Sequence, residues 1–525
     1  MANIAIIKYI SMSNLWLKLN NAVKNMKFSK KIKENYPPLV FALIYTIIFS
    51  TATILRYETF HSSFFDLGVE MHVIYRIAHG HFMSYGTNIL YGSSYIEPLY
   101  FFLGFLYKII PHVSFLLILQ SFLIGISAFP FYWLYKEIIG KNGSYLAPLL
   151  LLLNPQLHTG NMFDFHVSVF YVPFISFALY FAKNKKNLLL YIFLFLILIT
   201  KIDSFIYATG ICTFMVLTDY KNKHAYILAV ISIIYGFSAI FIMLPHINYD
   251  TYKAVVTNGG SYMNTNRFPM ISYGLKNLYK FNFSGFLKSI FLPFYNNITI
   301  YFKFVLFLFL AFILLPFFSG RYFLIVIPAL MMNLLVNYSF QSEFVLQYSF
   351  YVIPFFVLAS IYGIKNLKQS FLVKKSDRNS KLFNFILLAM LIVIPYLIQN
   401  YSQLNYNVLD NIYNLKIYKL DKNIDIKSFK AELKKIPENS ITSVSMFAYP
   451  WDFKEKKIYL FPQINKNVKY IIASTCLNQQ IYHKNDKKLI KELNSIIKGG
   501  EFKIIYNNQC NFILKRINSH ENFNN

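Results

Sequence analysis

The sequence predicts a mainly α-helical, polytopic membrane protein with a small α/β domain at its C-terminal end. Of its 525 residues, 56% are hydrophobic and 14% are charged, whereas soluble domains carry about 25% charged residues. Many apolar runs approach the roughly 20 residues that a helix needs to cross a bilayer. After Tyr401 the apolar runs become short and charged residues become frequent, which is the pattern of a soluble domain.

These observations divide the chain into three parts. Residues 1–37 form a basic arm. Residues 38–400 form a transmembrane domain of about eleven to twelve spans. Residues 401–525 form the soluble α/β domain, in which short apolar runs alternate with helical patterns.

The sequence makes a specific prediction for each of three apolar runs of the transmembrane domain. The run Ser144–His158 is predicted as one span. The stretch from residue 188 to 217 is too long for one upright helix and is interrupted by Lys201-Ile202-Asp203, so we expect two short spans that meet there. Pro98–Ile110 is apolar but short, so we expect an interfacial or re-entrant helix.

The lysines predict the orientation of the spans. Residues 1–37 carry seven Lys and one acidic residue, Glu34, which by the positive-inside rule places the N-terminus in the cytoplasm. The outer loops are then residues 56–111 and 245–297, and residues 401–525 are external. The predicted location is a cell membrane, in which the chain crosses the bilayer many times.

Charge and motifs exclude several classes of protein. The formal charge is +28, but the Lys and Arg residues lie mainly between apolar runs and in the tail, so nucleic acid is not a predicted partner. Walker, G-x-G-x-x-G, H-E-x-x-H and C-x-x-C motifs are absent from the sequence. An ATPase, a nicotinamide oxidoreductase, a zincin protease and a thiol redox protein therefore have no support. Cys476 and Cys510 share the external domain and are expected to lie near one another, as a bridge or as buried thiols.

Asp66 and Glu70 form the first group of candidate site residues, soon after the first span. They are four residues apart, so on a helix they lie on one face, where they could share a proton, a cation or a sugar hydroxyl. The alternative is a solvated loop with incidental carboxylates.

Two further groups lie at span ends. Asp164 and His166 could orient a substrate or serve acid–base chemistry, although Asp164 could equally cap a helix. Lys201 and Asp203 could neutralise each other or bind a substrate phosphate. The predicted topology brings these groups to the outer face, where Glu97 and Tyr95 are further candidates.

The order of motifs resembles a known family. From about residue 40 to 516 the chain is similar to a family of prokaryotic polytopic membrane proteins catalogued as domain of unknown function 2079. The motifs that carry the resemblance are Phe65-Asp66-Leu67-Gly68, Leu119-Gln120, Pro130 with Tyr132, Asn154-Pro155, Asn161–His166, Lys201-Ile202-Asp203, Tyr348-Ser349-Phe350, Pro354, Ile361-Tyr362-Gly363, Ile436-Pro437, Phe461-Pro462 and Tyr470.

That family in turn resembles the C-type membrane glycosyltransferases, which use polyprenyl-phosphate-linked sugars. In those enzymes an acidic residue of the first outer loop is the catalytic or acceptor-binding carboxylate, and Asp66 matches it by position. The resemblance implies a C-type fold and an inverting transfer of a sugar to an acceptor on the outer face. On this hypothesis Asp66 is the general base and Glu70 assists or orients it.

The same hypothesis gives roles to the other candidates. Lys201, together with Arg76, would hold the lipid phosphate as it departs, and Asp164 and His166 would line the sugar site. The expected partners are membrane lipid and a polyprenyl-phosphate sugar donor. The sequence leaves open whether a divalent cation bridges the carboxylates and the donor phosphate.

Two departures from the family pattern bear on these roles. This chain reads Tyr95-Ile96-Glu97-Pro98 where the family is expected to carry a His before the proline. In the family an acidic pair often follows the lysine, whereas in this chain Asp203 is the single acidic residue after Lys201.

The alternative functions are a transporter or flippase of lipid-linked or small polar substrates, and a non-catalytic scaffold.

Overall fold

The computed structural model describes most of the chain. The described residues are 34–62, 64–80, 97–247, 273–337, 339–342, 346–370, 377–401, 425–438, 440–446, 448–451, 454, 457–474, 486–508 and 511–517.

The structure confirms a mainly α-helical, polytopic architecture. The described residues contain five helical segments long and apolar enough to cross a membrane: Tyr36–Glu58, Val113–Ile138, Lys223–Ile247, Leu315–Leu334 and Asn379–Ile398. The consecutive helices Phe283–Asn296 and Ile298–Ala311, bent by 75°, form a sixth if they count as one span. Shorter apolar helices of 10–17 residues cover Leu99–Ile109, Val167–Lys183, Asn187–Leu198 and Ser204–Thr218.

The α-helices of the described membrane part are Tyr36–Glu58, Val69–Ala78, Leu99–Ile109, Val113–Ile126, Ala128–Ile138, Leu146–Leu152, Pro155–Phe163, Tyr171–Lys183, Asn187–Leu198, Ser204–Thr218, Lys223–Ser238, Leu244–Ile247, Leu275–Tyr279, Phe283–Asn296, Ile298–Ala311, Ile327–Leu334, Ile353–Gln369 and Asp377–Tyr401. Tighter or wider helical turns join several of them, at Phe64–Gly68, Val167–Phe170, Ala239–Met243, Leu315–Val326, Ser339–Ser342 and Gln347–Ser349.

Two apolar runs of the sequence are each divided into two shorter helices. The predicted span Ser144–His158 is wrong as one helix, because it consists of Leu146–Leu152 and the beginning of Pro155–Phe163. Asn154 causes the break, since its side chain accepts hydrogen bonds from the backbone N–H groups of Gln156 and Leu157 and starts a new helix before a proline. The break at residues 201–203 is confirmed between Asn187–Leu198 and Ser204–Thr218.

The helix Leu99–Ile109 has two different faces. Its 11 residues are too few to cross a bilayer. One face packs on the helix Val69–Ala78, where Gly104 lies against Ile77 so closely that an added Cβ would be 2.6 Å from the Ile77 side chain. The opposite face exposes Phe101, Phe102, Phe105 and Ile109. Its placement as an interfacial or re-entrant helix stays a prediction.

The C-terminal domain is a small α/β fold, as predicted. Its strands are β1 (Ile441–Val444), β2 (Lys457–Leu460), β3 (Tyr470–Ser474), β4 (Phe502–Asn508) and β5 (Asn511–Arg516), in the order β2-β1-β3-β5-β4. β1 is parallel to β2 and β3, and β5 is antiparallel to β3 and β4. The helices Ile426–Leu433 and Asp486–Lys498 complete the domain. Cys476 and Cys510 lie outside the described residues.

This domain packs on the end of the first long helix. The rings of Tyr57 and Trp451 stack at 4.3 Å with an interplanar angle of 4°. The ammonium of Lys430 lies 2.6 Å from Glu58 Oε2 and 3.9 Å above the Trp451 ring. Tyr75 adds a hydrogen bond from its hydroxyl to Glu438 at 3.2 Å. The C-terminal domain therefore contacts the membrane part both at the end of the first helix and at Tyr75.

Candidate functional site

An open cavity of about 970 Å³, a volume that includes solvent at its mouth, lies at one end of the helical bundle. Its polar lining consists of Glu70, Ser168, His166, Lys201, Asp203, Gln341 and Gln347. Its apolar and aromatic lining consists of Val167, Tyr171, Ile202, Phe205, Ile206, Ile240, Leu244, Met332, Tyr348 and Tyr351.

The chain order explains why these residues meet. The helix that begins after His166 runs away from the cavity, and the following helix, Asn187–Leu198, returns to Lys201. The next helix leaves again from Asp203, and Lys223–Ser238 leads back toward Leu244. Successive antiparallel helices therefore deliver His166, Lys201 and Asp203 to the same end of the bundle.

Asp66 and His166 are in direct contact. Asp66 Oδ1 lies 3.1 Å from His166 Nε2, and the two side chains are 13% and 7% exposed. Asp66 lies in the π-helical turn Phe64–Gly68, and such turns are frequent at functional sites. The ring of Phe163 stacks on His166 at 5.8 Å, which fixes the plane of the imidazole.

Both ring nitrogens of His166 face hydrogen-bond acceptors. Nε2 faces the Asp66 carboxylate at 3.1 Å, and Nδ1 faces the backbone carbonyl of Asp164 at 3.2 Å. A carbonyl cannot donate, so Nδ1 carries a proton, and a second proton must lie between Nε2 and Asp66. Burial lowers the pKa of His166, but the hydrogen bond and the charge of Asp66 outweigh it and raise the pKa above its ordinary value.

Gln120 fixes the chain around His166. Its side-chain NH₂ donates to the backbone carbonyls of Asn161 and Asp164, at 3.0 and 2.8 Å. Its carbonyl oxygen accepts the backbone N–H of His166 at 3.0 Å. One buried amide thus satisfies three backbone groups of an irregular segment. Gln120 belongs to one of the motifs that carry the family resemblance, but its position in an apolar run gives no sign of this role.

Arg56 and Asp164 form a buried ion pair away from the cavity. Arg56 Nη2 lies 3.9 Å from Asp164 Oδ2, with side chains 3% and 1% exposed. The guanidinium also donates to the carbonyl of Met162 at 2.6 Å and to that of His61 at 2.9 and 3.1 Å. Asp164 is therefore not part of the cavity lining predicted for it. Its charge compensates that of Arg56.

Glu70 and Lys201 line the cavity, and Glu97 pairs with Lys201 without lining the cavity itself. Tyr100 donates its hydroxyl to Glu70 Oε2 at 2.6 Å. Lys201 Nζ lies 3.3 Å from Glu97 Oε1, and the lysine side chain remains 26% exposed. Burial raises the pKa of Glu70 to about 7 and also raises the pKa of Glu97, which the charge of Lys201 partly offsets.

Asp203 is surrounded by tyrosines. Its Oδ1 accepts the hydroxyl of Tyr171 at 3.0 Å, and its Oδ2 accepts the hydroxyl of Tyr207 at 2.7 Å. Tyr351 stacks on Tyr207 at 4.3 Å. Asp203 therefore organises an aromatic wall of the cavity, and the carboxylate that pairs with Lys201 is that of Glu97 and not, as predicted, that of Asp203.

The remaining predicted residues lie elsewhere. Arg76 is on the helix Val69–Ala78 but does not line the cavity, and its Nε is buried with no hydrogen-bond partner among the described residues. Tyr95 lies outside the described residues. Among the described residues no group of three His, Cys, Asp or Glu side chains is placed to hold a metal ion.

A family model matches most of the chain. Residues 56–496 match the family described as predicted membrane protein, DUF2079, and the chain belongs to this family. The match confirms the predicted family and membrane association, and its description names no activity. No curated protein matches the chain.

The buried pair predicts a structural role for Asp164. We expect Asp164→Asn to lower the free energy of unfolding by about 3 kcal/mol, because it leaves a buried guanidinium without its counter-charge. Thermal unfolding of the purified protein measures this loss. Asp219→Asn is the control, since it removes one partner of the exposed Lys185–Asp219 pair and exposed pairs contribute little. Equal stability of Asp164→Asn and the wild type would contradict the assignment.

The raised pKa of Glu70 predicts that this residue destabilises the folded protein more as the pH rises. The pKa is about 7 in the folded protein and 4.5 in an exposed glutamate, so the folded state increasingly disfavours the charge as pH rises through that window. Glu70→Gln should therefore stabilise the protein at pH 8 and have little effect at pH 4.5, as measured by thermal unfolding. The control for losing a carboxylate is Glu501→Gln, at an exposed position. A pH-independent effect of Glu70→Gln would contradict the prediction.

Proposed function

We propose that this protein is an inverting membrane glycosyltransferase that transfers a sugar from a polyprenyl-phosphate donor to an acceptor on the outer face of a cell membrane. The observation that carries the proposal is the contact of Asp66, which does not itself line the cavity, with His166, which lines it together with Lys201. A positioned carboxylate and a cation beside an apolar wall suit deprotonation of an acceptor and departure of a phosphate.

The shape and chemistry of the cavity support a lipid-linked donor. Glu70, His166 and Lys201 provide polar groups, whereas Phe205, Ile240 and other apolar side chains form the rest of the wall. Ile240 lies in the helical segment Lys223–Ile247. Only 28% of the most apolar stretch of this segment is buried within the protein, so most of it is left for contact with lipid. A ligand with a charged head and an apolar chain would satisfy both parts of such a cavity, and its chain would leave toward the lipid.

Each proposed step uses groups that line or adjoin the cavity. The acceptor oxygen forms a bond to the anomeric carbon on the side opposite the phosphate, and Asp66 takes the proton from the acceptor hydroxyl. The bond between the anomeric carbon and the phosphate oxygen breaks, and its electron pair leaves with the phosphate. Lys201 stabilises that phosphate. His166 holds the Asp66 carboxylate in place through Nε2.

The distribution of lysines supports the proposed orientation. Lys183, Lys185 and Lys186 lie where the chain turns at the end of the bundle opposite the cavity, as does Lys221 in the next turn at that end. By the positive-inside rule this end is cytoplasmic. The cavity is then external, and so is the C-terminal domain, because it packs on Tyr57 and Glu58 near the cavity end.

This orientation can be tested with accessible tags. We expect a tag before residue 1 to be protected in intact cells and a tag after residue 525 to be accessible to an impermeant label, because the lysine-rich turns are retained inside. A tag inserted between Lys185 and Lys186 is the internal control and should also be protected. Protection of the C-terminal tag would contradict the external assignment of the tail and of the cavity.

The central prediction concerns Asp66. Asp66→Asn should lower sugar transfer by about two to four powers of ten, because the amide cannot take the acceptor proton. The amide keeps the shape of the side chain, so folding should be retained. Transfer from a polyprenyl-phosphate sugar is measured with purified protein and normalised to folded protein, with Asp219→Asn as the control at the opposite end of the bundle.

Two outcomes would contradict the proposal. Equal normalised rates for wild type and Asp66→Asn would remove Asp66 as the base. Movement of the labelled lipid across the bilayer without any sugar transfer, by the wild type in vesicles, would favour the transporter or flippase instead.

A further inference from the structure

Gly68 is the point at which the C-terminal domain reaches the candidate site. Gly68 ends the π-helical turn that carries Asp66 and immediately precedes the helix that carries Glu70. A Cβ added at Gly68 would collide with Cδ1 of the Tyr449 ring and would lie 2.7 Å from its Cε1. The backbone of Gly68 has ordinary right-handed helical angles, so the contact with the Tyr449 ring, and not a left-handed conformation, requires a glycine here.

The surroundings of Tyr449 belong to both parts of the protein. Phe60 and Val69, which flank the Asp66 turn, are buried in one cluster with Tyr449, Val444 and Phe429 of the C-terminal domain. Tyr449 itself is completely buried. The core of the C-terminal domain is therefore completed by side chains from either side of Asp66.

A second set of contacts fixes the same segment at its beginning. Trp451, two residues after Tyr449, stacks on Tyr57 and donates its indole N–H to the Tyr57 carbonyl at 3.3 Å. Lys430 donates to the backbone carbonyl of Glu58 at 2.8 Å and pairs with its carboxylate. These contacts leave little freedom for the segment between Glu58 and Gly68 to move independently of the domain.

We propose that the C-terminal domain is a positioning element of the active site, in which the ring of Tyr449, seated on Gly68, holds Asp66 against His166. The proposal rests on the proposed function for the chemical role of Asp66. Tyr449 is a positioning residue, because it acts through Gly68 and does not line the cavity. A carboxylate displaced by about 1 Å can cost about 100-fold in rate, so this support matters for turnover.

The test uses four variants of the full-length protein in nanodiscs. Gly68→Ala pushes the ring away, Tyr449→Ala removes it, Tyr449→Phe retains it, and the double variant Gly68→Ala/Tyr449→Ala makes room for the added methyl. Gly499→Ala is the matched control in the same domain, because its added Cβ would meet its nearest neighbour at 3.4 Å, an ordinary contact. Tyr449→Leu replaces Tyr449→Ala if the alanine variant does not fold.

Two readouts are measured for every variant. The first is the pKa of His166 from NMR titration of histidine-labelled protein, with the signal assigned by its loss in His166→Gln. The imidazole of His166 experiences the charges of Asp66, Glu70 and Asp164. The second is the sugar transfer rate per folded molecule. A change that affects only stability would lower the amount of folded protein and leave both readouts unchanged.

We expect Gly68→Ala and Tyr449→Ala each to lower the pKa of His166 and to reduce transfer by about 100-fold. Tyr449→Phe and Gly499→Ala should resemble the wild type. The double variant should be no worse than Tyr449→Ala, because the methyl collides with nothing once the ring is gone. An unchanged pKa of His166 in both single variants would overturn the proposal.

The two readouts separate this proposal from the proposed function. If the pKa of His166 falls in both single variants but the wild type transfers no sugar, Tyr449 positions Asp66 and the glycosyltransferase assignment fails. If the wild type transfers sugar and both single variants match its rate and its His166 pKa, the enzyme assignment stands and the positioning role fails.

Discussion

The buried guanidinium of Arg56 connects the two segments on which the candidate site depends. It donates to the carbonyl of His61, before the Asp66 turn, and to that of Met162, before His166, and it faces Asp164. Carbonyls of irregular backbone that is shielded from water must find donors within the protein. One cation meets this need in both segments, and the contact between Asp66 and His166 requires that both segments stay together.

The cavity combines charge with an apolar wall because its ionisable groups satisfy one another. Glu70 accepts from Tyr100, Glu97 pairs with Lys201, and Asp203 accepts from two tyrosine hydroxyls. A buried carboxylate without such partners would be costly. The exposed part of Lys201 is the place where a further anion can approach without disturbing the other partners.

Local patterns explain what could be predicted from the sequence. Hydropathy, charge and interrupted periodicity indicated the membrane part, the break at Lys201-Ile202-Asp203 and the C-terminal α/β domain. The same patterns could not show that Gln120, inside an apolar run, satisfies backbone groups more than 40 residues later. Nor could they show that Asp164 pairs with Arg56 whereas Asp66 contacts His166. Such pairing of distant segments depends on the packing of the whole bundle.

The contact between the beginning and the end of the chain has a consequence for synthesis. The indole of Trp451 and the carbonyl of Tyr57 are 394 residues apart in sequence. At about 5–20 residues per second, translation of that length takes about 20–80 s. During this interval the first helix and the Asp66 turn exist without the domain that completes their packing. Biogenesis must therefore protect an unfinished apolar surface around Phe60 and Val69 until the last domain has been made and has packed against it.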